Sequence, residues 1–189
     1  MKNLKALALA LVVALGTLSA SAQTTKKVDV AASKVNWVGK KVTGQHNGTI
    51  NLKEGFLVFN GKKLVGGNFT VDMNSINTTD LEGKGKASLD GHLKADDFFG
   101  VEHFPTSELV FKNIGAKSKN TYAVTADLTI KGITKPITFD IVVNKNVATT
   151  KLAVDRTKYD IKYGSGNFFE GLGDKAISDT FDLVVNLKF

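Results

Sequence analysis

TYAVTADLTIKGITKPITFDIVV, Thr121 to Val143, alternates apolar and polar residues through two runs joined by Lys131-Gly132. In the first run Tyr122, Val124, Ala126, Leu128 and Ile130 share one face, and Thr121, Thr125, Asp127 and Thr129 share the other. In the second, Ile137, Phe139, Ile141 and Val143 form the apolar face. A period of two residues places successive side chains on opposite faces of a strand. One face then meets an apolar interior and the other meets water, the usual condition of antiparallel sheets. Lys131-Gly132 stands where a tight hairpin turn is needed, so the stretch predicts two antiparallel neighbours.

The same pattern extends outward in both directions. Thr180–Phe189 carries Phe181, Leu183, Val185, Leu187 and Phe189 on one face, and Val65–Met73 carries Val65, Phe69, Val71 and Met73. Asn60-Gly61 and Asn144–Asn146 supply further hairpin turns, and Pro136 opens a strand, where its missing N–H is tolerated. Shorter strands are expected at Lys34–Val38, Thr49–Lys53, Phe56–Phe59, Thr106–Lys112 and Ala148–Asp155, and only Ala87–Phe99 has helical character. So many alternating strands, with neither a linker nor a repeat between them, predict an all-β, single antiparallel eight-stranded barrel with a short helical segment. A sandwich is the competing architecture. An eight-stranded barrel is just wide enough to be filled by side chains or to hold one small ligand. Twelve phenylalanines favour filling, while Gly66, Gly67, Ala123 and Ala126 thin it, so a solid and a hollow barrel both remain open.

The first 22 residues read as a secretion signal. Lys2 and Lys5 precede an apolar run from Leu7 to Leu15, and Ala20-Ser21-Ala22 is an A-x-A cleavage site. The expected products are a removed leader, 1–22, and one domain, 23–189, exported to the periplasm or the extracellular space. That run is shorter than the roughly 20 apolar residues needed to span a bilayer. The absence of cysteine excludes disulfides and thiolate chemistry. Losing Lys2 and Lys5 lowers the formal charge of +7 by two, leaving a mild excess suited to solubility and to transient contact with a membrane surface. No basic stripe is interleaved with aromatic residues, which excludes nucleic acid as a partner.

The segment LDGHLKADDFFGVEHFP, Leu89 to Pro105, breaks the strand pattern and crowds acidic, histidine and aromatic residues together. His92 and Asp96 at i, i+4, with Glu102 and His103 nearby, could be imagined around a metal, but no HExxH is present and the His92–His103 spacing matches no standard motif. No metal is therefore expected. Gly164-Ser165-Gly166 lacks the first glycine of a nucleophile elbow, because Tyr163 stands there. The paired acids Asp96-Asp97 and Asp179/Asp182 have no partner that would divide them into acid and base. A binding protein without cofactor or catalytic residue is the expectation, not an enzyme. Arg156 is the only arginine in the chain. It suits either a phosphate head held bidentately or an internal ion pair with Asp155, Asp160 or the Asp96–Glu102 segment.

Five blocks of the chain resemble the YceI-like family of periplasmic, lipocalin-like polyisoprenoid-binding proteins. They are KVNWVGKKVTGQHNGTI (Lys34–Ile50), KLVGGNFTVDMNSI (Lys63–Ile76), the Leu89–Pro105 segment, ADLTIKGITKPITFDI (Ala126–Ile141) and VDRTKYDIKYG (Val154–Gly164). Gly100 and Asp160 depart from the family's pattern, where an acidic residue and a glycine respectively are usual. The resemblance implies a hollow, elongated barrel that holds a long isoprenoid chain, such as a quinone tail or a polyprenyl phosphate, or another long-chain lipid, for carriage or storage. The expected pore lining is Phe56, Val58, Phe69, Val71, Tyr122, Val124, Phe139, Ile141, Phe181 and Leu183, closed by Phe98, Phe99 and Phe104. His92 and Arg156 are the candidates for the lipid head group, because apolar pockets orient ligands with a few placed polar groups. A homodimer is compatible with this reading. The alternative is a solid barrel acting as a surface interaction or stress-response module, through the Gly164–Asp174 loop with Phe168 and Phe169.

Overall fold

The computed structural model describes residues 22–189, so the expected leader lies outside the described residues up to Ser21. Nine strands form one antiparallel sheet: β1 (Gln23–Lys27), β2 (Asp29–Lys41), β3 (Gly44–Asn60), β4 (Lys63–Thr78), β5 (Thr106–Ala116), β6 (Thr121–Ile130), β7 (Ile133–Asn144), β8 (Val147–Asp155) and β9 (Ile177–Lys188). Strands β2 to β9 follow one another as a meander, and β9 returns to pair with β2 from Lys188 opposite Asp29 to Ile177 opposite Lys41. That pairing closes an eight-stranded barrel. The extra strand, β1, lies along the far end of β3, Lys27 opposite Phe56, beyond the stretch that pairs β2. QTTKK has no apolar face, which is why the alternation pattern does not reveal it.

Tight turns set the register where the sequence placed them. Lys131 and Gly132 both have positive φ, 50° and 72°, the backbone of a hairpin turn whose twist matches that of the strands. Asp160 adopts a left-handed φ of 61°, which aspartate tolerates at a position where glycine is usual, and Gly100 does so at 55°. Pro136 lies inside β7 rather than at its start, opposite Asp127 of β6. Strand β8 joins β7 only from Ile141 to Asn144, so at Pro136 the second edge of β7 carries no strand. A 3-10 turn, Arg156–Tyr159, packs against β7 there instead, with Tyr159 and Ile161 buried beside Ile133 and Ile137.

The helix α1 spans Gly83–Lys94, starting earlier and ending earlier than the expected Ala87–Phe99. Three glycines in twelve residues make it a poor helix by propensity. Tertiary contacts hold it: Leu93 is buried, Asp90 accepts a hydrogen bond from the Thr78 amide at 2.8 Å, and Lys86 pairs with Asp90. These bonds outweigh the burial that would raise the Asp90 carboxyl and hold it below its ordinary pKa. After Lys94 the chain winds through turns bonded back to Lys94, Ala95 and Gly100, and these carry Phe98 and Phe99 onto the barrel.

Two apolar clusters are stacked inside the barrel. The first contains Leu57, Phe59, Leu64, Phe69, Phe111, Tyr122, Val124, Ala126, Phe139 and Ile141. The second contains Met73, Ile76, Leu93, Phe98, Leu128, Ile130 and Val154. Leu109, Ile137 and Leu152 pack against both and mark the plane between them.

Candidate ligand-binding site

The second cluster surrounds a cavity of about 140 Å³ whose wall is almost wholly apolar. Trp37, Ile50, Met73, Leu128 and Leu183 form its waist, and Phe98, Phe99 and Phe181 stand nearer the helix-covered end. Gly39, Lys40, Ser178 and Thr180 border it as well, the last three bringing the polar groups of the rim. None of the buried residues of the first cluster lines this space. The barrel is thus solid in one half and hollow in the other, an arrangement between the two expected from composition.

Of the expected lining, Val71, Phe98, Phe99, Phe181 and Leu183 border the cavity. Phe69, Tyr122, Val124, Phe139 and Ile141 point into the barrel but are buried in its solid half. Phe56 and Val58 face outward, Phe56 with 38% of its surface exposed, so neither belongs to the lining. The reason is a bulge in β3. Leu52 opposes Val71, but Glu54 opposes Thr70, so one extra residue reverses which parity faces inward. Ile50 and Leu52 point in before the bulge, Leu57 and Phe59 after it. A second irregularity, between Val58 and Phe59, likewise turns Val65 outward and leaves Leu64 buried. Phe104 is half-buried against the Gly100 and Gly132 backbone, outside the cavity.

Arg156 is 1% exposed and borders the cavity. Its Nε donates to the Ser178 carbonyl at 2.9 Å, Nη1 to Ile161 at 2.8 Å and Nη2 to Ile177 at 3.1 Å. Its counter-ion is Asp179, 3.7 Å from Nη2, and not the acids nearer in sequence. Asp155 instead caps the 3-10 turn through the Thr157 amide and hydroxyl, while Asp160 pairs with Lys162. Burial lowers the Arg156 pKa, offset by Asp179 and Asp155, and the group stays charged. The guanidinium centre lies 5.7 Å from the Phe98 ring centroid. Three of its five N–H groups are committed to carbonyls, which leaves two.

His92 does not border the cavity. Its ring stands edge-on to Phe98 and Tyr163, at 5.5 and 4.4 Å between centroids, with Nδ1 3.8 Å from Asp97. Asp96 faces His103 instead. Asp96, Asp97 and the two histidines of this segment are therefore split into separate pairs. Ser165 is fully buried, and its hydroxyl accepts from the Asn167 amide in a turn. Trp37, which the alternation pattern does not single out, also lines the cavity. Its indole lies across Gly48, where an added Cβ would come within 2.5 Å of the ring, and Nε1 donates to the Thr49 carbonyl. A glycine opposite a tryptophan was the available signal.

The YceI-like domain matches residues 27–189. A UPF0312 protein of Shewanella denitrificans is 32% identical over 91 residues, 48% of this chain and 46% of that protein. One from Staphylococcus aureus is 44% identical over 75 residues, 40% of this chain and 37% of that protein. The chain thus aligns with less than half the length of these relatives. Among solved structures, Burkholderia cenocepacia BcnA superposes with a TM-score of 0.63 at 22% identity, covering 85% of this chain and 98% of that one. A polyisoprenoid binding domain from Saccharophagus degradans superposes with a TM-score of 0.56 at 16% identity, covering 86% and 97%. At these identities the likeness is one of fold, an antiparallel barrel of the same kind. With the domain matched from Lys27 to the last residue, the chain belongs to the YceI-like family.

Proposed function

We propose that this protein is an exported lipid-binding protein that holds an isoprenoid-type lipid by its apolar tail, for carriage or storage. The observation that carries the reading is the cavity itself. Between Trp37, Ile50, Phe99, Phe181 and Leu183 the wall offers water almost no polar partner, its polar groups standing at the rim and at Arg156, and apolar cavities of this kind take apolar guests. The Saccharophagus degradans relative is described as a polyisoprenoid binding domain, which supports the same class of ligand. The two uncommitted N–H groups of Arg156 are the proposed contact for the lipid's head group, and His92 supports the wall through its edge contact with Phe98. Export rests on the character of residues 1–22. Native mass spectrometry of protein purified without detergent tests the reading. Bound lipid, or uptake of a prenol on incubation, is expected; a homogeneous apo mass that takes up nothing refutes it.

A second reading is favoured by one surface. Phe168 and Phe169 are each 50% exposed on the Gly164–Asp174 loop, with Lys162 placed 5.2 Å over the Phe168 ring. In this reading the loop is a protein-binding edge. Replacing both phenylalanines with serine separates the two, because a binding edge loses its partner with lipid content unchanged. Lowered lipid content would instead make the loop part of the lipid's entry.

A further inference from the structure

The solid half of the barrel does more than stabilise it. Directly beyond the plane of Leu109, Ile137 and Leu152, three rings cross the interior from three strands: Phe69 of β4, Phe111 of β5 and Phe139 of β7. Phe69 and Phe111 have centroids 5.6 Å apart and are tilted, and Phe111 and Phe139, 5.8 Å apart, meet edge to face as aromatic pairs prefer. Each of these side chains is at most 9% exposed. Two glycines make the arrangement fit. A Cβ on Gly55 would lie 2.6 Å from the Phe69 ring, and one on Gly67 would lie 2.9 Å from the Phe111 ring. The rings therefore rest against bare backbone of β3 and β4, wedged between the wall and one another.

We infer that this aromatic row is the fixed floor of the chamber and limits the length of tail the protein accepts. A close-packed interior does not yield by degrees to an extra methylene, since overpacking forces side chains off their rotamers. The space above the floor is about 140 Å³. A cavity of about 150 Å³ holds one benzene, so the space above the floor takes about one or two isoprene units, and the remainder of a longer tail leaves by the cavity's open side. Val71, two residues along β4 from Phe69, borders the cavity, while Leu109 and Ile137, two residues along from Phe111 and Phe139, pack against both clusters without bordering it. The ligand class is thus a short-tailed prenyl lipid, or the terminal units of a longer one whose remainder lies outside.

This inference rests on the proposed lipid-binding function, and the test separates the two. Geraniol, farnesol and geranylgeraniol share a neutral head and differ only in tail length. Their affinities for the Gln23–Phe189 protein are read by calorimetry. Each added unit that finds room raises affinity by on the order of a hundredfold or more. The expected result is binding of geraniol with a plateau by farnesol. A steady rise through geranylgeraniol overturns the floor but leaves lipid binding intact; no binding by any of the three overturns both. The double variant F111L/F139L, checked for fold by circular dichroism, should move the plateau to the longer prenols. If it folds and the plateau stays, the floor is elsewhere; if it does not fold, the wild-type series decides.

Discussion

Replacing Arg156 with methionine is the sharpest perturbation of this barrel. The substitution keeps much of the side chain's length and apolar stem but removes every donor. Three backbone carbonyls, of Ile161, Ile177 and Ser178, lose their partner, and Asp179 loses its cation in a setting where its carboxylate is 21% exposed. Removing one member of a buried ion pair costs about 3–5 kcal/mol, because the partner left behind is still desolvated. For a domain of this size each kcal/mol lowers the melting temperature by about 2–4 °C, so the variant should melt roughly 6–20 °C below wild type. Arg156→Lys keeps the charge without the fork and should fall between the two. Thermal unfolding followed by circular dichroism reads the effect. Adding Asp179→Leu to Arg156→Met should restore part of the loss, since replacing both partners by apolar groups is far less costly than removing one. A melting temperature for Arg156→Met within 2 °C of wild type refutes the reasoning, and so does an Asp179→Leu addition that lowers it further. The same variants address the head group. Equal loss of a prenyl phosphate and a prenol in Arg156→Lys marks the residue as purely structural, while selective loss of the phosphate supports the proposed contact.

Other outcomes follow from single residues. Trp37 is the sole tryptophan and lines the cavity, so prenol uptake should shift or quench its fluorescence; unchanged emission with binding shown by calorimetry places the ligand elsewhere. Gly48→Ala would set a Cβ 2.1 Å from the Asn77 carbonyl and against the Trp37 ring, and should lower stability by about 1–3 kcal/mol in a urea titration. Burial, with a smaller contribution from Asp155, pushes the Tyr159 hydroxyl up to about 12. Since its folded pKa is raised, the stability it contributes is complete below pH 10 and lost as the pH climbs towards 12. Tyr159→Phe should then flatten the alkaline limb of the unfolding curve, and an unaltered limb excludes that role. The Asp90 pKa is depressed instead, so its stabilisation is present above the ordinary carboxylate pKa of about 3.9 and disappears as the pH falls below it. Asp90→Ala should detach α1 and remove that acid sensitivity, measured as helical signal against pH.

The strands that could be read from the sequence are those in which one face is apolar and the other is not. Thr121–Ile130 alternates without a break and is buried at every even position, as its residues dictate. FLVF at Phe56–Phe59 is apolar on both parities, so nothing local says which pair faces inward. The bulge near Lys53 decides it, and a bulge is a property of two strands rather than one. The division of the barrel into a solid and a hollow half was equally invisible. It depends on Gly55 lying under Phe69 and Gly67 under Phe111, partners brought together only by register. For Arg156 the residue type announced a buried planar cation, but its partner stands across the sheet on β9, while the acids beside it in sequence are occupied elsewhere. Helix α1 was placed approximately because its sequence is weakly helical and its limits are set by Asp90 and Leu93 meeting β4.

The short seam between β7 and β8 gives the molecule two tempers. At the solid end β7 is laced to β8 from Ile141 to Asn144, whereas beside the hollow half the wall between these two strands is one 3-10 turn and the side chains of Tyr159 and Ile161. Regions held by few backbone ladders open locally at a fraction of the global unfolding free energy. In hydrogen-exchange mass spectrometry, amides of Ile133–Thr138 and of Arg156–Ile161 should exchange long before those of Tyr122–Ala126. The chamber could then breathe to admit a guest while the aromatic end holds its shape, which makes the protein a rigid cup with a soft seam rather than a uniformly pliant tube.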